Sequence, residues 1–344
     1  VAIIVLTLAI FAPLPLANRP PNVILSPMSR RQATAEEHSL ERRKIIAIIE
    51  VTFAVIVWGA SFIATKVALR DVSPVTIIWL RFGMGLPILA AAVAARKQFA
   101  PVARNEIGYF AFLGFLGITF HQWLQSTGLR TAQATTTAWI VTTIPVIQAV
   151  LGWAMLKEKL GRFTVVGVVL AALGVLLVVT KGDLLSLARG RFGTIGDLLV
   201  LISAPNWAVF SILSRRGLQQ HPATLMLLYV MGIGWLFTSA LFFAGPGMAD
   251  VARLTRNGWL AVGFLGVFCT GLAYIFYYDA LQIIPASRVG VFIYIEPLVT
   301  VVLAAIILPE PLNLPTLLGG GIILLGVWLV NRPASRQRIA SHNE

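Results

Sequence analysis

The sequence predicts an all-α membrane protein with ten transmembrane helices arranged as two inverted five-helix repeats. Three observations predict it. Of 344 residues, 58% are hydrophobic and 12% charged, with a mean hydropathy of +0.84; a soluble domain carries about 25% charged residues. Apolar runs long enough to cross a bilayer, about 20 residues each, occur ten times. The segment Leu129–Val178, moved forward by 152 positions, lands without a gap on Leu281–Val330. This shift matches Pro145 with Pro297, Glu158 with Glu310 and Gly174 with Gly326, and carries Phe112-Leu113-Gly114 onto Phe264-Leu265-Gly266. Internal duplication in so apolar a chain marks secondary transporters, whose substrate sites lie between the repeats.

The predicted spans are 46–66, 74–94, 107–127, 133–156, 163–180, 195–214, 223–245, 257–279, 287–308 and 313–331. Barrel strands would alternate apolar and polar residues over about 10 positions; runs such as Phe163–Thr180 do not alternate, so the spans are helices. With the N-terminus in the cytoplasm, 18 Lys and Arg fall on that side and 8 outside. The bias predicts that both termini are cytoplasmic. Five spans per repeat is an odd number, so the second copy enters from the opposite side, related to the first by a two-fold axis in the membrane plane. The division is an extension over 1–45, a first repeat over 46–180, a charged linker over 181–193, a second repeat over 194–331 and a cytoplasmic tail over 332–344. Val1–Leu16 is apolar but short, and lacks the basic start of a secretory signal. Met28-Ser29-Arg30-Arg31 looks more like a natural start, so residues 1–27 are expected to be an upstream extension or a weakly ordered tail; a genuine interfacial segment is the alternative.

The net charge of +13 does not indicate nucleic-acid binding, because the basic residues sit in short loops and tails and form no basic module. The single cysteine, Cys269, excludes an intramolecular disulfide. No phosphate-binding Gly-rich loop with Lys-Ser/Thr occurs, so the chain itself is not expected to use ATP. No cofactor or metal is expected. The expected partners are a small-molecule substrate, the lipid bilayer and protons as the coupling ion.

Several motifs then resemble a known family. Trp58-Gly59-Ala60-Ser61-Phe62, Arg81-Phe82 and Leu156-Lys157-Glu158-Lys159-Leu160 in the first copy are similar to the EamA repeat. So are Trp207-Ala208-Val209-Phe210, Glu296-Pro297 and Leu308-Pro309-Glu310-Pro311 in the second. The likeness covers about residues 46–331. It implies a member of the drug/metabolite transporter superfamily: a ten-helix inner-membrane carrier, often an exporter, for amino acids, other small metabolites or drugs. Other classes remain open at this point. An intramembrane enzyme on lipid or prenyl substrates would want clustered acids or a His-Glu-x-x-His pair, and neither occurs. A passive channel is disfavoured by the duplicated halves.

Polar groups inside hydrocarbon are costly and must face a cavity or a partner. Glu296, near the middle of the ninth span, is the first candidate: it couples protons or contacts a cationic substrate group, or it bonds backbone freed by Pro297. Arg81 lies on the order of 10 Å deep in the second span. It clamps a substrate carboxylate, or snorkels, or pairs with Glu296. In the third span His121 and Gln125 share a face and Gln122 lies beside them; they line the cavity or join helices. His121 is a second proton-relay candidate, since histidine titrates near neutrality. Trp58 and Trp207 hold similar places in the two repeats, with Asn206 beside Trp207 and Pro205 interrupting that helix. Tyr274 and Tyr278 share a face of the eighth span, and these five aromatic and amide side chains suit a site for organic molecules. Tyr277 and Tyr278 also lie where an interfacial belt is expected. Pro145 and Pro297 are candidate hinges within the fourth and ninth spans, or fixed bends. Glu158 and Glu310 are expected at span ends, as gate contacts or as solvated loop residues.

Overall fold

In the computed structural model, the structure describes residues 27–157, 160–190 and 192–332. The readings made for residues 1–26, for Glu158 and for the tail beyond Arg332 lie outside the described residues. The described chain forms two compact units divided between Ile45 and Ile46. The first is helical from Pro27 to its end.

The second unit is built from apolar helices without strands among the described residues. They are the part of α1 (Pro27–Ala68) from Ile46 on, then α2 (Pro74–Ala95), α3 (Ile107–Gly128), α4 (Ala134–Leu156), α5 (Arg162–Thr180), α6 (Ile195–Gln220), α7 (Ala223–Ala244), α8 (Arg256–Ile283), α9 (Ala286–Ile307) and α10 (Leu314–Val330). Nine are long and apolar enough to cross a membrane, and α10 is a shorter apolar helix. Ser73 and Thr194 start α2 and α6 as N-caps, the latter as a reciprocal capping box with Asp197.

The connections sort onto two faces, as ten crossings require. Loops following odd-numbered helices bond to one another on a far face: Asp71 accepts from Thr255 N and Oγ1 at 2.9 and 2.7 Å, and Thr131 Oγ1 accepts from Gly196 N at 3.0 Å. On the near face Arg96 pairs with Asp279 through both nitrogens at 2.8 and 2.6 Å, and Tyr229 donates to Ala100 O at 2.9 Å. Bonds between these loops are possible only if each helix reverses the direction of the one before it.

The helix packing is symmetric under exchange of the halves. Gly167 of α5 lies against the carbonyl of Gly326, and Gly174 against that of Gly319, both of α10. The repeat shift turns the first pair into the second, and the order shows that α5 and α10 run antiparallel. The axis relating the halves therefore lies across the helices, which makes the repeats inverted. A second pair repeats the pattern: Gly114 of α3 meets Gly234 of α7, and Gly266 of α8 meets Gly85 of α2. Small residues let the backbones approach closely, the main source of helix association in lipid.

Two helix irregularities are also duplicated. α3 contains a π-helical stretch at Phe115–Phe120 and α8 one at Leu265–Leu272. α4 and α9 are each broken in two, giving Ala134–Val141 with Ile144–Leu156 and Ala286–Phe292 with Ile295–Ile307. Pro145 and Pro297 stand in the first turn of the second half-helix, where a missing N–H has no intrahelical partner to lose. At the first break Thr142 Oγ1 and Thr143 Oγ1 donate to the carbonyls of Ala138 and Ile140 at 2.8 and 2.6 Å. Pro205, by contrast, does not interrupt α6, which runs through it.

Candidate functional site

The π-helical stretches expose backbone carbonyls, and each is met by a side chain from the opposite repeat. Asn206 Nδ2 of α6 donates to Leu116 O at 2.9 Å, and Trp58 Nε1 of α1 donates to Cys269 O at 3.3 Å. Helix irregularities of this type concentrate at functional sites. Here they hold the first helix of one repeat against the third helix of the other.

Around these crossings the structure gathers most of the residues singled out from sequence. Arg81 is 7% exposed; its Nε donates to Thr270 Oγ1 and its Nη1 to Gln122 Oε1, each at 3.1 Å. It neither snorkels nor pairs with Glu296. His121 is buried, its Nδ1 is 3.2 Å from Ser203 O, and its ring lies 4.6 Å from that of Trp207. A carbonyl only accepts, so Nδ1 carries the hydrogen and Nε2 is left as an acceptor. Gln125 lies one turn further along α3, half-buried. Trp58 packs on Tyr274 and Tyr277 with ring centroids 5.3 and 5.1 Å apart. Tyr277 thus belongs to the interior rather than to an interfacial belt, and Tyr278 packs against the core cluster of Phe82 and Phe110.

Glu296 opens the second half of α9. Its carbonyl accepts from Thr300 Oγ1 at 3.0 Å and lies against Gly59 of α1, where a β-carbon would stand 2.6 Å away. Its carboxylate has no hydrogen bond or ion pair among the described residues, is not sealed from solvent, and lies within electrostatic range of Cys269, Tyr274 and Tyr277.

A further contact set centres on Glu310, for which gate contacts were one of two expectations. Glu310, on the far face after α9, is 8% exposed. Its carboxylate accepts from Ala134 N at 2.8 Å and from Thr135 N and Oγ1 at 3.1 and 3.0 Å. Lys66 at the end of α1 stands 3.4 Å from it and donates to Ala132 O at 2.6 Å. The solvated-loop reading of Glu310 is therefore replaced by a buried latch joining α1, α4 and α9. A cavity of about 430 Å³ adjoins it, lined by Lys66, Arg70, Arg130, Gln133 and Glu310 among others. Thr270, Ser203 and Lys66 escaped the sequence reading because a lone hydroxyl, or a lysine at a span end, looks ordinary until its distant partner is known.

Two interlocked helical repeats enclosing polar groups at mid-depth define a two-repeat membrane carrier scaffold. The chain belongs to the EamA-like transporter family, whose model matches residues 45–180 and 194–332. It is similar to a protein of Archaeoglobus fulgidus named only as an uncharacterized transporter, with 27% identity over 279 residues, 81% of this chain and 95% of the relative. It is also similar to the uncharacterized transporter YyaM of Bacillus subtilis, 25% identical over 273 residues, 78% of this chain and 88% of the relative. A solved structure titled only as that of a protein shares the fold, with a TM-score of 0.58 and 19% identity, covering 84% of this chain and 96% of the other. The protein is a multi-pass membrane transporter.

Proposed function

We propose that this transporter is a proton-coupled secondary carrier that exports small metabolites, amino acids or drugs across the inner membrane by alternating access, with both chain ends in the cytoplasm. The observation that carries the coupling is the carboxylate of Glu296, midway through the helix bundle and held by no partner among the described residues. A carboxyl fixed in an ion pair cannot exchange its proton freely; an unpaired one at a point where both faces can reach it can. Its place on a half-helix, at the break before Pro297, supports motion coupled to its charge. The breaks serve as hinges because hydrogen bonding is already interrupted there.

Vesicles holding the purified protein, a pH-sensitive dye and a panel of metabolites test this reading. Substrate-dependent proton movement is expected with the native protein. Glu296→Gln should abolish flux driven by an imposed pH gradient while leaving substrate exchange at equal pH within a few-fold of native. Unchanged gradient-driven flux in that variant removes the coupling role.

A further inference from the structure

A guanidinium buried between helices is strongly unfavourable unless an anion accompanies it. Arg81 has none among the described residues. The ion pairs join Lys66 to Glu310, Arg96 to Asp279, His221 to Glu106 and Arg253 to Asp250, all away from it. Its two bonded nitrogens reach neutral acceptors, Thr270 and Gln122. Its Nη2 carries no hydrogen bond among the described residues and is not sealed in apolar packing.

The groups nearby share this property. The side-chain nitrogen of Gln122, the indole N–H of Trp207 and the hydroxyl of Tyr274 have no hydrogen bond among the described residues and are not sealed. An indole N–H and an amide NH₂ donate only, as does guanidinium. Beside two acceptors, the Glu296 carboxylate and Nε2 of a neutral His121, the site therefore has spare donors and a guanidinium that no described anion pairs. Apolar surface flanks it: the Phe82 ring lies 5.4 Å from the Arg81 guanidinium carbon, and the Trp58–Tyr274 and His121–Trp207 ring pairs stand to either side of the α3 and α8 crossings.

From this geometry we propose, resting on the carrier reading above, that the transported substrate is a small organic carboxylate whose two oxygens sit on Arg81, with its apolar body among these rings. Two carboxylate oxygens supply the acceptors that Nη2 and the neighbouring donors lack, and their charge completes that of the guanidinium. Gln122 and Thr270 hold the fork in place, so that the free edge faces the substrate.

Binding to the purified full-length protein in detergent tests the proposal, using three probes of one shape: benzoate, benzamide and benzylamine. Thermal midpoint and tryptophan fluorescence are followed on titration. Benzoate is expected to bind saturably, with benzamide and benzylamine at least tenfold weaker. Gln122→Glu places a carboxylate on the nitrogen that Gln122 already holds. It should keep or raise the thermal midpoint and weaken benzoate at least tenfold. Arg81→Gln should do the same to benzoate, and if it fails to fold, Gln122→Glu alone carries the test. The proposal is overturned if benzylamine binds as well as benzoate, or if benzoate is unaffected by Gln122→Glu. It is also overturned if chloride alone competes as well as benzoate, which would make this an inorganic-anion site. Benzoate binding lost in Gln122→Glu, with no gradient-driven flux in vesicles, would remove the carrier reading and leave the carboxylate site standing.

Discussion

Asp250 shows what a single side chain contributes at the membrane surface. It lies in the short helix Gly247–Val251 between α7 and α8, 4% exposed, and accepts from Ser73 N at 2.9 Å and Thr76 Oγ1 at 3.0 Å. Burial alone would raise its pKa, but the hydrogen bonds from Ser73 and Thr76 and the charge of Arg253 outweigh this and hold it below the usual aspartate value. A depressed folded-state value gives stability that is present above the unfolded value and lost as pH falls through the folded one. Asp250→Asn should therefore lower the thermal midpoint at neutral pH, by about 1–3 kcal/mol in unfolding free energy. The difference from native should shrink towards zero in acid, as followed by melting across a pH series. The same scale shows what the sequence made readable. Glu296, Arg81 and His121 stand out because a titratable group in an apolar run is conspicuous wherever the chain folds. Their partners do not stand out: Thr270 lies 189 residues from Arg81, and Ser203 lies 82 from His121. Only the fold brings such pairs together.

At the scale of elements, most helices were legible to within a few residues, because length and apolarity alone set a membrane span, but α1 begins well before its expected start at 46. Their interruptions were not. A π-helical turn depends on which carbonyls find a donor elsewhere, here Asn206 and Trp58 from the other repeat. The same holds for the breaks in α4 and α9, where proline was visible and the half-helix it begins was not. Duplication extends to both irregularities, so both repeats contribute equally to the site walls. The latch at Glu310 belongs to this scale too. It ties the start of α4 to the ends of α1 and α9 on the far face. Glu310→Ala should free these ends. In a Cys269→Ser background, a cysteine at position 125 should then react several-fold faster with a membrane-impermeant thiol reagent applied from the far face, and no faster from the near face. Equal acceleration from both faces would mean general loosening rather than an opened gate.

Considered whole, the molecule separates helix contacts rich in polar bonds from a seam of close backbone packing. Side-chain hydrogen bonds join α1 to α8 and α9, α2 to α3, α7 and α8, and α3 to α6 and α7. The α5–α10 pair is packed backbone against backbone. A β-carbon on Gly167 would stand 2.5 Å from Gly326 O, and one on Gly174 2.7 Å from Gly319 O. Neither neighbour is a flexible side-chain end, so the helices must separate to admit one. Gly167→Val should cost about 1–3 kcal/mol or more through overpacking, read as a lowered melting midpoint, with Gly108→Ala, which meets open space, as the neutral control. The two-fold relation itself was legible from the repeat and its odd number of spans. The identity of the seam was not, since many glycines in the sequence were equal candidates for it.

The α5–α10 seam has one more consequence. Because it is built from equivalent surfaces turned against each other, a single half of this chain already contains both the key and the lock. Two separately translated fragments, cut in the linker between Leu185 and Gly193, should find one another in the bilayer and co-purify. A lone first fragment should pair with an upside-down copy of itself.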